Sequence, residues 1–355
     1  MVDLTQFILS SEPVITNWIG KLIHWMYSGI HSFGWTVVVF TIALKLILSP
    51  LDIWQKRTML KNNRAMKVIA PELEKLKKTY ANAPDVLQQK QMELYKKNGY
   101  SMTGGCLPAL LTIVIFFVVF SGFNAAVRYE NELIVYNLTQ EYTAIIEKNP
   151  EISADELDQK MVAAYEARQE DWLWVKNVFV SDTYTNPVPS RDKYVGTGLG
   201  QIGAKIPVET KNLNVRNSNY DNGYEAVIGP ALATLGRKKT FDAKNWNGYY
   251  ILPLISITLS IFSVKVSKSS QPEMPTQNDE NGNPMKNGQG MMKAMNWMMP
   301  IMMGIFALFY SAAFCIYMVV NSFITTAFNL VYNAIAKKQE AAAEDARLAT
   351  TFKRK

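Results

Sequence analysis

Residues 33–50 read FGWTVVVFTIALKLILSP, an apolar run interrupted by one full charge, Lys45. The fold turns on which medium surrounds it. The run approaches the roughly 20 residues a helix needs to cross a bilayer. A lysine at the centre of such a helix costs on the order of 2.5–3.5 kcal/mol on insertion scales, so its presence calls for a compensating environment. Further apolar stretches follow at 105–124, 249–266 and 295–333. The last is about twice the length of one span, and Tyr310-Ser311-Ala312-Ala313 divides it into spans at 295–311 and 314–333 joined by a very tight turn. The expected fold is an all-α polytopic membrane protein with five transmembrane helices. The mean hydropathy of -0.03 averages these blocks with strongly charged ones.

Charge sets the expected orientation. Segment 55–100 holds eleven basic residues (Lys56, Arg57, Lys61, Arg64, Lys67, Lys75, Lys77, Lys78, Lys90, Lys96, Lys97) against four acids, whereas the first 32 residues hold only Lys21. By the positive-inside rule the first loop is cytoplasmic, which puts the N-terminus outside and, after five crossings, the C-terminus inside. The net charge of +7 is therefore explained by topology, and specific DNA binding is not expected. Cys106 and Cys315 both fall in expected spans, so no disulfide framework is indicated. The beginning of the sequence lacks the features of a cleaved secretory signal, and the first span is expected to act as its own targeting signal.

The segments between spans differ in texture. Residues 1–32 are expected to carry an external amphipathic helix lying at the interface, with Asn17, Lys21, His24, Ser28 and His31 on one stripe and Val14, Trp18, Ile19, Leu22, Trp25 and Met26 on the other side. Residues 51–104 predict a cytoplasmic helical hairpin. Pro71 suits a first helical turn, Ile69, Leu73, Leu76 and Tyr80 form an apolar stripe, and the Ala81–Pro84 stretch turns the chain into a return arm from Asp85 to Lys97. The external region, 125–248, is helix-like and acidic from Asn131 to Val178. At about 181–246 it becomes rich in Gly, Asn and Tyr, which predicts an insertion of mixed structure, with turns and short strands. Residues 267–294 read as a flexible cytoplasmic loop, and 334–355 as a basic cytoplasmic tail.

Lys45 shares its helix face with Thr41 and Ser49, and Asp52 continues the line. Asn321, Thr325 and Asn329 mark a stripe on the fifth span, with Ser322 and Thr326 beside it. Ser256, Ser260 and Ser263 mark the third span, and Thr112 lies within the second. A hydroxyl in a span often bonds its own backbone, but several polar stripes together with a cation fit a water-filled cavity inside the bundle. The competing reading of Lys45 is snorkelling, since it lies about 7 Å of helical rise before Pro50. Seven methionines within Met291–Met303, among them Met291, Met292 and Met295, suit either packing or contact with varied apolar partners. No Walker loop, dinucleotide fingerprint, metal-ligand pair or deep carboxylate occurs, so neither an enzyme nor a cofactor or metal is expected.

The chain resembles the YidC family of membrane protein insertases. The residues that carry this are LKLILSPLDIWQ at 44–55, APELEKLKKTY at 70–80, LYKKNG at 94–99, GGCLPALL at 104–111, YYILPL at 249–254 and FYSAAFCIYMVVNS at 309–322. The resemblance implies five spans around a hydrophilic groove in a bacterial plasma membrane. That groove is open to the cytoplasm and the lipid bilayer and closed outside. It further implies insertion of nascent membrane protein clients without ATP, alone or beside the Sec translocon, with chaperone activity in folding. The hairpin and basic tail would engage client or ribosome, which makes Leu73, Leu76, Tyr80, Met291, Met292 and Met295 candidate contacts. The family's groove cation, usually arginine, falls on Lys45. The sequence departs from the pattern in that lysine, in Thr112-Ile113-Val114 where Gln-x-Pro is frequent, and in the long external insertion. A small-solute channel or transporter and a structural scaffold are the alternatives from other classes.

Overall fold

The computed structural model describes residues 13–80, 83–100, 102–184, 186–189, 226–235, 246–268 and 304–352. They are mostly helical: α1 (Trp18–Ile30), α2 (Phe33–Thr79), α3 (Pro84–Lys97), α4 (Met102–Lys148), α5 (Ala154–Glu166), α6 (Gly229–Leu235), α7 (Ile251–Lys268) and α8 (Ala312–Phe352). A further helical stretch covers 304–309. Phe33–Met66, Ile113–Lys148 and Ala312–Lys338 are long and apolar enough to cross a membrane by length and composition, and Ile251–Val266 is apolar but shorter. Residues 295–303 of the expected fourth span, and 269–294 before it, lie outside the described residues.

One helix runs on where the sequence places a span end at 50 and a helix start at Pro71. α2 continues from Phe33 to Thr79 through both Pro50 and Pro71, so Pro71 lies inside a helix and not in a first turn. Proline removes the N–H that would bond the carbonyl four residues earlier. At Pro50 that carbonyl belongs to Leu46, and Ser49 Oγ donates to it at 2.8 Å. The hydroxyl thus replaces the lost bond, as membrane helices require. α4 runs through residue 124 into the segment expected to be helix-like from Asn131 and ends at Lys148.

The chain folds as two compact units. The first comprises Met1–Thr41, Phe117–Ser256 and Met303–Val319. In it, Asn17 caps α1 by accepting from Ile19 N at 2.9 Å and Gly20 N at 3.2 Å. Ile19 and Ile23 are buried, and Trp18 and Trp25 are exposed. Gly122 of α4 allows the helices to meet, because a Cβ there would stand 2.3 Å from Ile19 Cβ. Ile19 therefore faces α4 and not the outer surface with the tryptophans. His24 also looks toward α4, with Nδ1 2.6 Å from Glu130 Oε1. Phe33, Phe123, Phe179 and Phe314 form a buried aromatic knot, with Phe33 and Phe179 centroids 4.9 Å apart.

A second apolar core in this unit joins Val135, Leu138 and Tyr142 of α4 to Met161, Ala164 and Tyr165 of α5 and to Val188, Val227, Ile228 and Ala231. Where turns and short strands were expected, Gly229–Leu235 is helical, because Ile228, Ala231, Leu232 and Leu235 present one face to this core at helical spacing. No strand occurs among the described residues; Trp172 and Val175 form an isolated antiparallel bridge.

Between these cores the stretch 170–183 ties helix ends together. Glu170 accepts from the Tyr27 hydroxyl and, at 3.2 Å, from Phe33 N at the start of α2. Burial first, and then the hydrogen bond to Glu170, hold the Tyr27 phenol far above its ordinary range, so it remains a donor. Val180 and Val178 carbonyls accept from Ala312 N and Ala313 N at 2.8 Å each, capping α8. Asp182 Oδ2 accepts from Leu252 N at 2.7 Å in the first turn of α7 and from Trp174 Nε1 at 3.2 Å. Asn247 Oδ1 accepts from Asn177 N at 2.8 Å, and its Nδ2 lies within 3.2 Å of the carbonyls of Asn177, Val180 and Ser181. Glu170→Ala should cost about 2 kcal/mol by orphaning the Phe33 N–H and the Tyr27 hydroxyl. A lowered unfolding midpoint, with Glu170→Gln intermediate, is the expected reading.

The second unit comprises Ile42–Phe116, Ile257–Met302 and Val320–Lys355. Its small core pairs Ile69 and Leu73 of α2 with Leu94 of α3, flanked by Met66, Leu76, Tyr95 and Tyr100. α3 opens on Pro84 with Asp85 in its first turn and closes with Lys96 and Lys97, charges matched to the helix dipole. Burial raises the Tyr95 phenol above its ordinary range.

Candidate functional site

Lys45 lies in α2 of the second unit with its Nζ 3.7 Å from Asp52 Oδ2; the side chains are 17% and 25% exposed. Seven residues apart, the two share a helix face two turns apart. The lysine stem therefore runs along the helix toward Pro50, the direction snorkelling requires, and a carboxylate balances its charge. At this separation the contact is an ion pair beyond hydrogen-bond length.

The hydroxyls on the same face divide by what they bond. Thr41 is buried and donates Oγ1 to Val37 O at 2.6 Å; Ser49 serves the Leu46 carbonyl. Both are occupied by their own helix. On α7 and α8 the pattern differs. Ser260 Oγ lies 3.4 Å from Ser322 Oγ, and Asn333 Nδ2 donates to Val266 O at 3.1 Å, so polar side chains help join these helices within the second unit. Thr326 bonds Ser322 O at 2.7 Å, Asn329 is buried, and Asn321 is half-buried. Thr325 Oγ1 and Asn333 Oδ1 are buried and find no hydrogen-bond partner among the described residues; in the first unit the same holds for Ser256 Oγ. Each such group costs about 1–3 kcal/mol in a dry interior, and water or a polar chain segment would satisfy it.

Of the remaining expected contacts, Leu73 is part of the core between α2 and α3, Leu76 packs against it, and Tyr80 closes the helix end, its carbonyl accepting from Ala83 N at 3.1 Å. Thr112 falls in α4, and Met291, Met292 and Met295 lie outside the described residues. Sequence reading missed Asn177, Asp182 and Asn247. Their one visible signal was Trp246-Asn247-Gly248 directly before the third apolar run.

The model of the 60Kd inner membrane protein family matches residues 25–340. The chain belongs to this family. A relative from Leptospira interrogans (serogroup Icterohaemorrhagiae, serovar Lai), named membrane protein insertase YidC, is 37% identical over 102 residues, covering 29% of this chain and 16% of the relative. One of the same name from Jannaschia sp. (strain CCS1) is 41% identical over 119 residues, 34% of this chain and 18% of its own. Another, from Helicobacter pylori (strain ATCC 700392 / 26695), is 34% identical over 116 residues, 32% and 20%. The matched segments thus span a fifth or less of the curated relatives' length.

Proposed function

We propose that this protein inserts and helps fold membrane proteins in a bacterial plasma membrane. The observation that carries the proposal is the family match over residues 25–340, which contains Lys45 and the polar residues of the apolar helices described above. Five spans, with the N-terminus outside and the C-terminus cytoplasmic, enclose a hydrophilic groove. Polar segments of a client enter it from the cytoplasm, and apolar helices leave it for lipid. Lys45 supplies a charge for polar or acidic client segments, and Ser256, Ser260, Asn321, Thr325 and Asn329 offer hydrogen bonds that water fills between clients. Orphaned hydroxyls at Ser256 and Thr325 support a wet lining. Outside closure is supported by the Asn177, Asp182 and Asn247 bonds over the starts of α7 and α8. Thr41 and Ser49 act through their backbone bonds.

The α2–α3 pair projects into the cytoplasm as a hairpin whose core is its own, so Leu76, Tyr80 and the basic faces, rather than Leu73, meet client, ribosome or the Sec translocon. Met291, Met292 and Met295 give the client a compliant apolar contact. Proteoliposomes holding the purified protein should insert a small single-span client without ATP, and replacing Pro71–Lys97 with a short Gly/Ser link should leave an integrated protein that inserts poorly. Insertion at the rate of empty liposomes would refute the function, and full activity of the shortened protein would remove the hairpin from it. Solute flux in place of insertion would favour a channel.

A further inference from the structure

In the first unit, residues 170–175 lie against the first turn of α2. Glu170 Oε2 accepts from Phe33 N at 3.2 Å, and the Trp172 indole rests on Gly34, where a Cβ would stand 2.4 Å from Trp172 Cδ1 and Cγ. The Trp35 and Trp172 ring centroids are 5.7 Å apart, edge to face. Trp172 and Val175 exchange backbone hydrogen bonds of 2.9 Å each, which closes a two-residue turn with Leu173 and Trp174 at its tip. Leu173 has a φ of 53°, at the central position where turns of this kind favour glycine, and its side chain is 64% exposed. A bulky apolar residue thus occupies a place that suits it poorly both by backbone and by exposure to water.

We infer that this turn dips into the lipid leaflet at the N-terminal end of α2, the outer leaflet in the proposed topology, with Leu173 among the acyl chains and the tryptophans at headgroup depth. Three arguments carry the choice of a bilayer as the partner. Trp35 and Val39 lie one turn apart on α2 and are 51% and 45% exposed, at the start of the candidate span Phe33–Met66, so they mark a lipid-facing side of that helix. Trp172 meets Trp35 edge to face, which makes the turn continuous with that side. Trp35, Trp172 and Trp174 cluster around Leu173, and tryptophan favours the depth where headgroups meet hydrocarbon. One exposed leucine is far less than the area a stable protein interface buries. A bilayer needs no such area, because α2 already holds the protein in it, and hydrocarbon removes the Leu173 side chain from water. Asp171 and Lys176 flank the turn and meet the polar headgroups. The inference rests on Phe33–Met66 crossing the membrane and not on what the protein inserts.

The test places a photoreactive diazirine side chain at one position at a time in the full chain, reconstituted in vesicles of phosphatidylethanolamine and phosphatidylglycerol, and reads the adducts by mass spectrometry. Position 173 should form adducts with acyl chains, as should position 39 on the lipid-facing side of α2, whereas position 151, beyond the end of α4, should form none. Acyl adducts at 39 with none at 173 overturn the inference and leave the span standing; none at either position overturns the span as well. Adducts at 173 that are confined to headgroups, that are matched at 151, or that join two copies of the chain also overturn it. With the probe at 173, Gly34→Ala should abolish the acyl adducts by pushing the Trp172 indole off α2. Trp172→Ala removes the indole without crowding α2 and should do the same, while a probe at 39 keeps its adducts in both variants. Undiminished acyl adducts at 173 in both variants would refute the seat on Gly34 as what sets the depth of the turn.

Discussion

Asn247→Ala should lower the thermal unfolding midpoint of the detergent-solubilised protein by about 5 °C or more, corresponding to roughly 3–5 kcal/mol. The side chain is fully buried, accepts from Asn177 N and donates toward three carbonyls on a segment some 70 residues earlier in the chain. Truncation orphans the Asn177 N–H in a place water cannot reach, the costly side of the hydrogen-bond asymmetry, and removes the second donor from the carbonyls of Asn177 and Ser181, which keep Val180 N and Thr183 N. The carbonyl of Val180 keeps Ala312 N. Asn247→Asp keeps the acceptor but turns a carboxylate oxygen toward carbonyls, so it should be no better than alanine at neutral pH. Gly248→Ala should behave like Asn247→Ala, because its Cβ would fall 1.8 Å from Asp182 Oδ1 and 3.1 Å from Asp182 Cα. A midpoint within a degree of the natural protein for both would mean this knot does not hold α7 and α8.

These residues also mark where sequence reading stops. Apolar runs, caps and charge bias are local, so α3 with its Pro84 start, the turn at Tyr310–Ala313 and the three long apolar helices could be read from neighbouring residues. Asn247 could not, since its partners lie far away in sequence and nothing in an isolated asparagine says which carbonyls it will meet. The continuity of α2 through Pro50 was hidden for a different reason. The breaking rule is statistical, and the repair by Ser49 depends on a rotamer that only the folded helix shows. Ser49 was visible as a polar residue on the Lys45 face but not as a backbone partner. Thr41 is the same case, and together they leave neither hydroxyl proton on that face to anything outside α2.

Lys45→Glu should give the largest functional loss of any single substitution in α2, and the loss should depend on the client. An ammonium in a wet groove with low-dielectric walls attracts an acidic client tail with less screening than in bulk water. A change of about 1–1.4 kcal/mol in that attraction alters an insertion rate by roughly 5- to 10-fold. Lys45→Ala should therefore slow clients with acidic tails by about that factor and clients with neutral tails much less. Lys45→Glu should slow acidic ones further, and Lys45→Arg should be nearly silent. The ion pair with Asp52 adds a variant of opposite sign. In the proposed docking role Asp52 would compete with the client for the ammonium, so Asp52→Asn should speed insertion of acidic tails and leave neutral ones unchanged. In Lys45→Ala/Asp52→Asn, the second change should no longer help, because the charge it would release is gone. A lysine that only snorkels predicts altered expression or topology in all these variants, with no dependence on tail charge. The measurement is insertion rate across clients that differ only in the charge of the translocated tail, and a common factor for all of them would refute the docking role of Lys45.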